Sequence, residues 1–285
     1  MTLDKEAYLA EVEMAWCPGC GNFSIRTALA QALATLGLPR HKVVLVTGIG
    51  QAAKIAHYMK LNGFNGLHGR TVAAAAAIRL ARTDLTVIAE SGDGDLYGEG
   101  GNHLIHNIRR NAGITVVAHD NRVYGLTKGQ ASPTADAGYV TRAQPTGVLS
   151  APLNPLALAV ALDAGLVAQA FSGEQDRTAD ILAEAIRHEG FSLVNVVHPC
   201  PSWNRVNTFS WYKERVRPLE DDHDPTDRMA ALRVALQDGE RIPTGILYRS
   251  DRPSFESRHP VLKGEPLALR PLPTQPVHAH LAEFA

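Results

Sequence analysis

Residues 85–121 read LTVIAESGDGDLYGEGGNHLIHNIRRNAGITVVAHDN. Leu85 to Glu90 is an apolar run of strand length, and Ser91-Gly92-Asp93-Gly94-Asp95 ends it with turn residues. Gly98, Gly100 and Gly101 then open a segment, Gly101 to Arg110, whose apolar residues recur at helical spacing. Ile114 to His119 is a second apolar run. Two near-continuous apolar strands joined by a helix form the repeating unit of a parallel sheet buried on both faces, because the crossover helix must pack on the sheet it returns to.

The same alternation extends in both directions. Toward the N-terminus lie a helix from Ser24 to Leu36, with Ser24 as its cap, a strand from Lys42 to Thr47 and an Ala-rich helix from Thr71 to Ala81. Toward the C-terminus an irregular stretch, Tyr124 to Pro155, precedes helix Leu156–Ala164, strand Leu166–Phe171, helix Asp176–His188 and strand Phe191–Val197. The pattern predicts an α/β fold over residues 1–216, a doubly wound, mainly parallel sheet with helices on both faces. From residue 217 to 285 the composition turns charged and Pro-rich, as in LEDDHDPTD (219–227) and RPLPTQPVHAH (270–280), with one helix expected over Asp227–Leu236. This part is expected to pack as an extension on the domain or on a partner. The sequence shows no internal repeat.

With 45% hydrophobic and 20% charged residues over 285 positions, the chain can bury a large core and is not disordered as a whole. A net charge of -1 gives no global field toward nucleic acid or an anionic membrane, so neither is an expected partner. The sequence has no apolar run of about 18 residues, and its first turns carry acidic residues rather than a signal-type apolar stretch. A cytoplasmic protein is the expectation. Three cysteines are few for a secreted scaffold, and Cys17-Pro18-Gly19-Cys20 suits metal better than loop stapling.

The loop at Ser91–Asp95 carries the chemistry. Backbone N–H groups between a strand and a helix can face a phosphate, and the helix dipole favours its charge. Asp93 in the same loop would repel that phosphate unless a divalent cation lay between them, which makes it a candidate Mg²⁺ ligand. The next strand ends at Asp120-Asn121, and Asn121 stands 28 positions after Asp93 (121 − 93), the room that one helix and one strand take. Its amide oxygen would then come from the adjacent strand's carboxyl end, where doubly wound sheets bind ligands. A GDG triplet alone reads as a surface turn; the strand, helix, strand and Asn around it carry the functional reading.

GDG with this spacer and a terminal Asn resembles the diphosphate–Mg²⁺ motif of thiamine-diphosphate enzymes, in which a backbone carbonyl two residues after the Asn, here that of Val123, is a further ligand. Trp16-Cys17-Pro18-Gly19-Cys20-Gly21, His68-Gly69-Arg70, the GDGD loop, Gly101-Asn102-His103 and Tyr124-Gly125-Leu126-Thr127-Lys128-Gly129-Gln130 occur in that order. Together they resemble the β subunit of 2-oxoacid:ferredoxin oxidoreductases, especially the 2-oxoglutarate branch, across most of the chain. The resemblance implies cofactor contacts from Gly48, Ile49, Gly50, His68, Gly69, Gly92, Asp93, Gly94, Asp95, Asn121, Val123, Gly125, Leu126 and Thr127. It implies catalytic roles for His68, Lys128 and Thr127, with Lys128 meeting a substrate carboxylate.

In such subunits the Cys-x-x-Cys pair and a late Cys, here Cys17, Cys20 and Cys200, help to hold a [4Fe-4S] cluster. Many relatives supply a fourth Cys after the first strand or shortly beyond; this chain has Gln51 and Leu61 there. A non-Cys ligand, a three-iron form, a ligand from another subunit or no cluster at all would follow, and Zn²⁺ on the same thiols is the rival metal.

The activity implied is oxidative decarboxylation of a 2-oxoacid, with CoA as acyl acceptor and ferredoxin as electron acceptor. The chain offers the diphosphate half of such a site, so an α subunit is expected to complete it, in an α2β2 assembly. Two other readings fit the residues: a non-oxidative thiamine-diphosphate decarboxylase or synthase subunit, and a non-catalytic iron-sulfur or zinc scaffold.

Overall fold

The computed structural model describes residues 3–237 and 240–271, so RPLPTQPVHAH from residue 272 onward lies outside the described residues. Helix α1 (Asn22–Thr35) leads to strand β1 (Val43–Thr47), the short β2 (Asn62–Asn65), α2 (Thr71–Ala81) and β3 (Thr86–Gly92). A π-helical turn (Gly94–Glu99) runs into α3 (Gly101–Arg110), followed by β4 (Thr115–Asp120) and a hairpin of β5 (Val123–Tyr124) and β6 (Gln130–Ala131). Then come α4 (Pro155–Ala161), β7 (Leu166–Phe171), α5 (Gln175–Arg187) and β8 (Ser192–Val197). Last are α6 (Phe209–Arg215), β9 (Val216–Pro218), α7 (Arg228–Ala235), β10 (Ile242–Arg249) and α8 (Phe255–Arg258).

Eight strands form one sheet in the order β2-β1-β3-β4-β8-β7-β10-β9, parallel except where β10 meets β7. Side chains alternate between two cores, as the pleat requires. Val43 and Leu45 of β1, Ile88 of β3 and Val194 of β8 pack under α1 and α5. Val44 and Val46, Val87 of β3 and Leu193 of β8 pack under α2, α3, α4 and α7 on the other face. Helices on both faces of a mainly parallel sheet make this the doubly wound class.

Two elements depart from the expected pattern for identifiable reasons. Helix α1 begins at Asn22, two residues before Ser24, whose hydroxyl donates instead to the Ser172 carbonyl at 2.5 Å. Strand β10 is not legible in the sequence because Pro243 and Gly245 interrupt its run. In the structure it twists through Gly245, at φ +138°, and shifts register between Ile246 and Tyr248. The residues from 217 on meet the domain through this strand: β10 pairs with β7, and Leu247 shares a core with Ala231 and Ala235 of α7.

The register fixes where the loops gather. Gly92 of β3 lies opposite His119 of β4, and Asp120 opposite Val197 of β8, so the segments after β1, β3, β4 and β8 all leave the same, carboxyl edge of the sheet.

Candidate active site

One cavity at that edge is walled by Ile49–Ala52 after β1, Gly92–Asp95 after β3, Asn121 and Val123–Thr127 after β4, and His68. Most of the expected cofactor contacts therefore face one space, joined by three residues not expected among them: Gln51, Ala52 and Tyr124. Gly48, Gly69 and Lys128 are not in its wall. Lys128 is exposed with its backbone in the left-handed region (φ +76°), and the Thr127 hydroxyl donates to Gln130 Oε1 at 2.6 Å.

The two aspartates of GDGD have different tasks. Asp95, 2% exposed, accepts from Ile49 N–H (3.0 Å), Gly69 N–H (2.8 Å) and the Thr71 hydroxyl (2.6 Å). It braces the loop after β1 against the start of α2, and its oxygens are taken by the protein itself. Gly48 and Gly69 serve this brace. A Cβ on Gly48 would stand 2.3 Å from Asp95 Oδ2, and Gly69 has φ +72° with its Cα against Glu99. His68 Nδ1 lies 3.7 Å from Asp95 Oδ1 with its side chain 38% exposed, and the ring tilts against Tyr124.

Asp93 is also 2% exposed, but a second buried carboxylate, Asp120, stands beside it. Its Oδ2 accepts from the Ser132 hydroxyl (2.5 Å) and faces Thr134 Oγ1 at 2.7 Å, while the same hydroxyl lies 2.8 Å from Asp120 Oδ1. One proton cannot serve two carboxylates, so the buried pair competes for it. Burial first, and then the Asp120 charge, push Asp93 up to about 8. A divalent cation at this point would reverse that shift and hold Asp93 ionised. Asn121, from the neighbouring strand end, accepts from Val123 N–H at 3.0 Å, which fixes its amide beside the same wall. Gly94 completes the cradle, since a Cβ there would meet the Tyr124 ring at 2.3 Å. A carboxylate, an amide oxygen and a glycine turn at a helix start match the donor chemistry of Mg²⁺ and a diphosphate.

The three thiols lie close to one another, each within electrostatic reach of the others. Cys17 is exposed, Cys20 half-buried and Cys200 buried. Burial pushes the Cys20 thiol up to about 11, and it raises Cys200 although the N–H groups of Trp203, Asn204 and Ser202 face that sulfur. Such N–H groups commonly surround a thiolate that binds metal. Among the described residues no three His, Cys, Asp or Glu groups stand close enough to hold one metal ion.

The sequence from 41 to 196, which includes every residue in the cavity wall, matches the family described as "Thiamine pyrophosphate enzyme, C-terminal TPP binding domain". Residues 200–264 match the family formed by the C-terminal part of the pyruvate ferredoxin oxidoreductase beta subunit. The chain is 40% identical over 257 residues to the 2-oxoacid:ferredoxin oxidoreductase subunit beta of Sulfolobus sp, covering 85% of this chain and 84% of that one. It is 42% identical over 253 residues to the 2-oxoacid:ferredoxin oxidoreductase 1, subunit beta, of Aeropyrum pernix, covering 85% and 80%. The chain belongs to the β subunits of the 2-oxoacid:ferredoxin oxidoreductases.

In three dimensions it matches the 2-oxoglutarate:ferredoxin oxidoreductase of Magnetococcus marinus, solved with 2-oxoglutarate, coenzyme A and succinyl-CoA bound. The TM-score is 0.87 at 38% identity, over 89% of this chain and 87% of that one. Membership in this oxidoreductase family sets aside the non-oxidative and the scaffold readings. The match that starts at Cys200 also runs through β9, α7 and β10, the elements least legible in sequence. No helix among the described residues is long and apolar enough to cross a membrane.

Sequence reasoning also missed a buried polar tier beneath the Cys17–Cys20 loop. His119 Nε2 lies 2.7 Å from Glu90 Oε1 and its Nδ1 lies 2.9 Å from Asn22 Oδ1, all three side chains being essentially without solvent contact. Next to it His198 donates from Nδ1 to the Pro199 carbonyl, and burial first, then His119, hold it neutral, pushed down to about 3. The available signal was Glu90 and His119 at strand positions whose neighbours two residues back, Ile88 and Val117, face the α1 core.

Proposed function

We propose that this chain is the cofactor-bearing subunit of an enzyme that converts a 2-oxoacid and CoA into acyl-CoA and CO₂ while reducing ferredoxin, with 2-oxoglutarate as the favoured substrate. The observation that carries the reading is the convergence of the Asp93 carboxylate and the Asn121 amide, from adjacent strand ends, on one cavity. Mg²⁺ would sit on Asp93, Asn121 and the Val123 carbonyl, bringing positive charge to the buried Asp93 carboxylate. The glycine turn Gly92–Asp95 would hold the diphosphate at the helical start beyond it.

Thiamine diphosphate supplies the electron sink that decarboxylation needs and that side chains cannot. The residues of this chain then orient and exclude water. His68 and Thr127 in the wall meet the reacting end, and Lys128, exposed just outside it, meets the substrate carboxylate. Cys17, Cys20 and Cys200 would hold an iron-sulfur cluster that takes the electrons singly.

The partner α subunit provides the other half of the cofactor site in an α2β2 complex in the cytoplasm. The preference for 2-oxoglutarate draws support from the ligands of the Magnetococcus marinus relative. The test is turnover of the coexpressed α–β complex with a panel of 2-oxoacids, CoA and an oxidised ferredoxin. Highest kcat/KM is expected with 2-oxoglutarate; highest kcat/KM with pyruvate would move the substrate, and no CoA-dependent electron transfer with any 2-oxoacid would reject the activity.

A further inference from the structure

The chain between β6 and α4 folds back to the thiol corner. Gly138 N–H donates to the Val148 carbonyl (2.8 Å), Val148 N–H to the Tyr139 carbonyl (3.0 Å) and Thr141 N–H to the Gln144 carbonyl (3.2 Å), so residues 138–148 form a hairpin with Arg142 at its tip. Gly138 and Gly147 take positive φ there, and the bare Cα of Gly147 lies against the Gly138 backbone. Two hydrogen bonds tie this segment to the turn after Cys200. The Tyr139 hydroxyl donates to the Trp203 carbonyl at 2.9 Å, and the Asn207 amide donates to Asp136 Oδ2 at 3.3 Å. Tyr139 is also within electrostatic reach of the Cys200 sulfur.

The surface so formed carries charge of one sign. Residues 137–162 and 200–213 contain no carboxylate, and Asp136, at the root of the hairpin, is ion-paired with Arg122 at 2.6 Å. Arg142 and Arg205 are exposed and form no ion pair among the described residues. Val140, Leu149 and Val206 beside them are exposed too, Leu149 by 92%. The acids of this corner, Glu11 and Glu13, belong to the loop before Cys17, and Glu11 reaches Lys60 at 3.6 Å. A permanent subunit interface buries a broad apolar core, whereas cations interleaved with single apolar side chains suit a small, transient contact steered by opposite charge. A carrier that collects electrons must also come close to the donor centre, and Cys17 is the exposed thiol of the three.

This step rests on the reading that the enzyme reduces ferredoxin. We propose that the hairpin 138–148, with Leu149, and the turn at Arg205 and Val206 form the docking surface for an acidic ferredoxin. Arg142 and Arg205 meet its carboxylates, and the three apolar side chains make the short-range contact.

The test uses the intact α–β complex, an acidic two-cluster ferredoxin, and methyl viologen, a small acceptor that needs no docking surface. In Arg142→Glu/Arg205→Glu the KM for ferredoxin is expected to rise by about tenfold at low salt, and the Kd from titrating ferredoxin onto the substrate-free complex to rise in parallel. Turnover with methyl viologen should stay within about twofold, and the ferredoxin defect should shrink as salt screens the contact. Arg142→Gln/Arg205→Gln, which removes the charges without adding repulsion, is expected to fall between the two. Lys263→Glu controls for net charge, because this exposed lysine lines a cavity with Thr86 and Thr115, the first residues of β3 and β4 at the opposite edge of the sheet. Unchanged ferredoxin KM and Kd in the double Glu variant, or an equal loss in Lys263→Glu, would overturn the docking surface. Loss of α–β association in the double Glu variant, read by gel filtration, would give the patch to the α subunit instead. A complex that reduced both acceptors but ignored these charges would sink this inference alone, and an unaltered complex that reduced neither would sink the oxidoreductase reading beneath it.

Discussion

The cavity and the thiol corner are neighbours linked through Trp16 and Gln51, yet they are built differently. The cavity is framed by the ends of buried parallel strands, and each loop that walls it is anchored by named hydrogen bonds, above all those on Asp95. The thiol corner brings together a loop before α1 and a turn after β8, and one of its three sulfurs is exposed. Strand ends pre-organise ligands because the sheet fixes their separation. Loops would leave the final geometry to a bound metal, whose binding energy would do the ordering.

Separate energetics for the two regions give the largest expected effect. Cys200→Ala in the α–β complex should lose the iron-sulfur absorption band and its bound iron almost completely while keeping thiamine diphosphate affinity within about twofold. Parallel loss of both would mean that the regions form a single unit. An intermediate effect is expected from Asp95→Ala, which leaves two backbone N–H groups and a hydroxyl without their acceptor. Unfolding should be easier by roughly 3 kcal/mol, and hydrogen exchange should rise at Ile49 and Gly69. Unchanged exchange there would remove the brace from the account.

The smallest effect is a pH slope. In the folded chain Asp93 is raised to about 8 from an ordinary 3.8, so between these values the native state holds a proton that the unfolded state has released. Its contribution therefore lowers the stability of the cofactor-free protein as pH rises from about 4 to 8, and saturating Mg²⁺ with thiamine diphosphate should flatten that slope. Thermal melts across this range check the sign; a slope that cofactor leaves unchanged would assign the pH dependence elsewhere.

How much of this was legible in sequence depended on whether a local pattern agreed with its tertiary setting. The apolar runs at β1, β3, β4, β7 and β8 announced themselves because strands buried on both faces have no polar alternation to blur. That Asp93 and Asn121 would line one cavity was readable because a single crossover separates them. The brace that Asp95 makes was not legible, because its partners lie 24 to 46 residues away in chain order, beyond any motif. β10 was hidden by Pro243 and Gly245; Pro243 is accommodated where β10 pairs only with β9, and pairing with β7 begins at Gly245 with a register shift just beyond it. The Glu90–His119–Asn22 tier was hidden because a buried polar group is intelligible only with its partner, and these come from two strands and a helix.

The most direct measurement of the central claim is calorimetric titration of thiamine diphosphate into the α–β complex, with and without Mg²⁺, for the unaltered chain and for Asp93→Asn. Binding of one cofactor per β chain that requires Mg²⁺ is expected, with a loss of at least about a hundredfold in Asp93→Asn although that variant folds as stably as its parent or better. Equal affinity in the two proteins, or binding indifferent to Mg²⁺, would contradict the assignment of Asp93 as the carboxylate that joins metal to diphosphate.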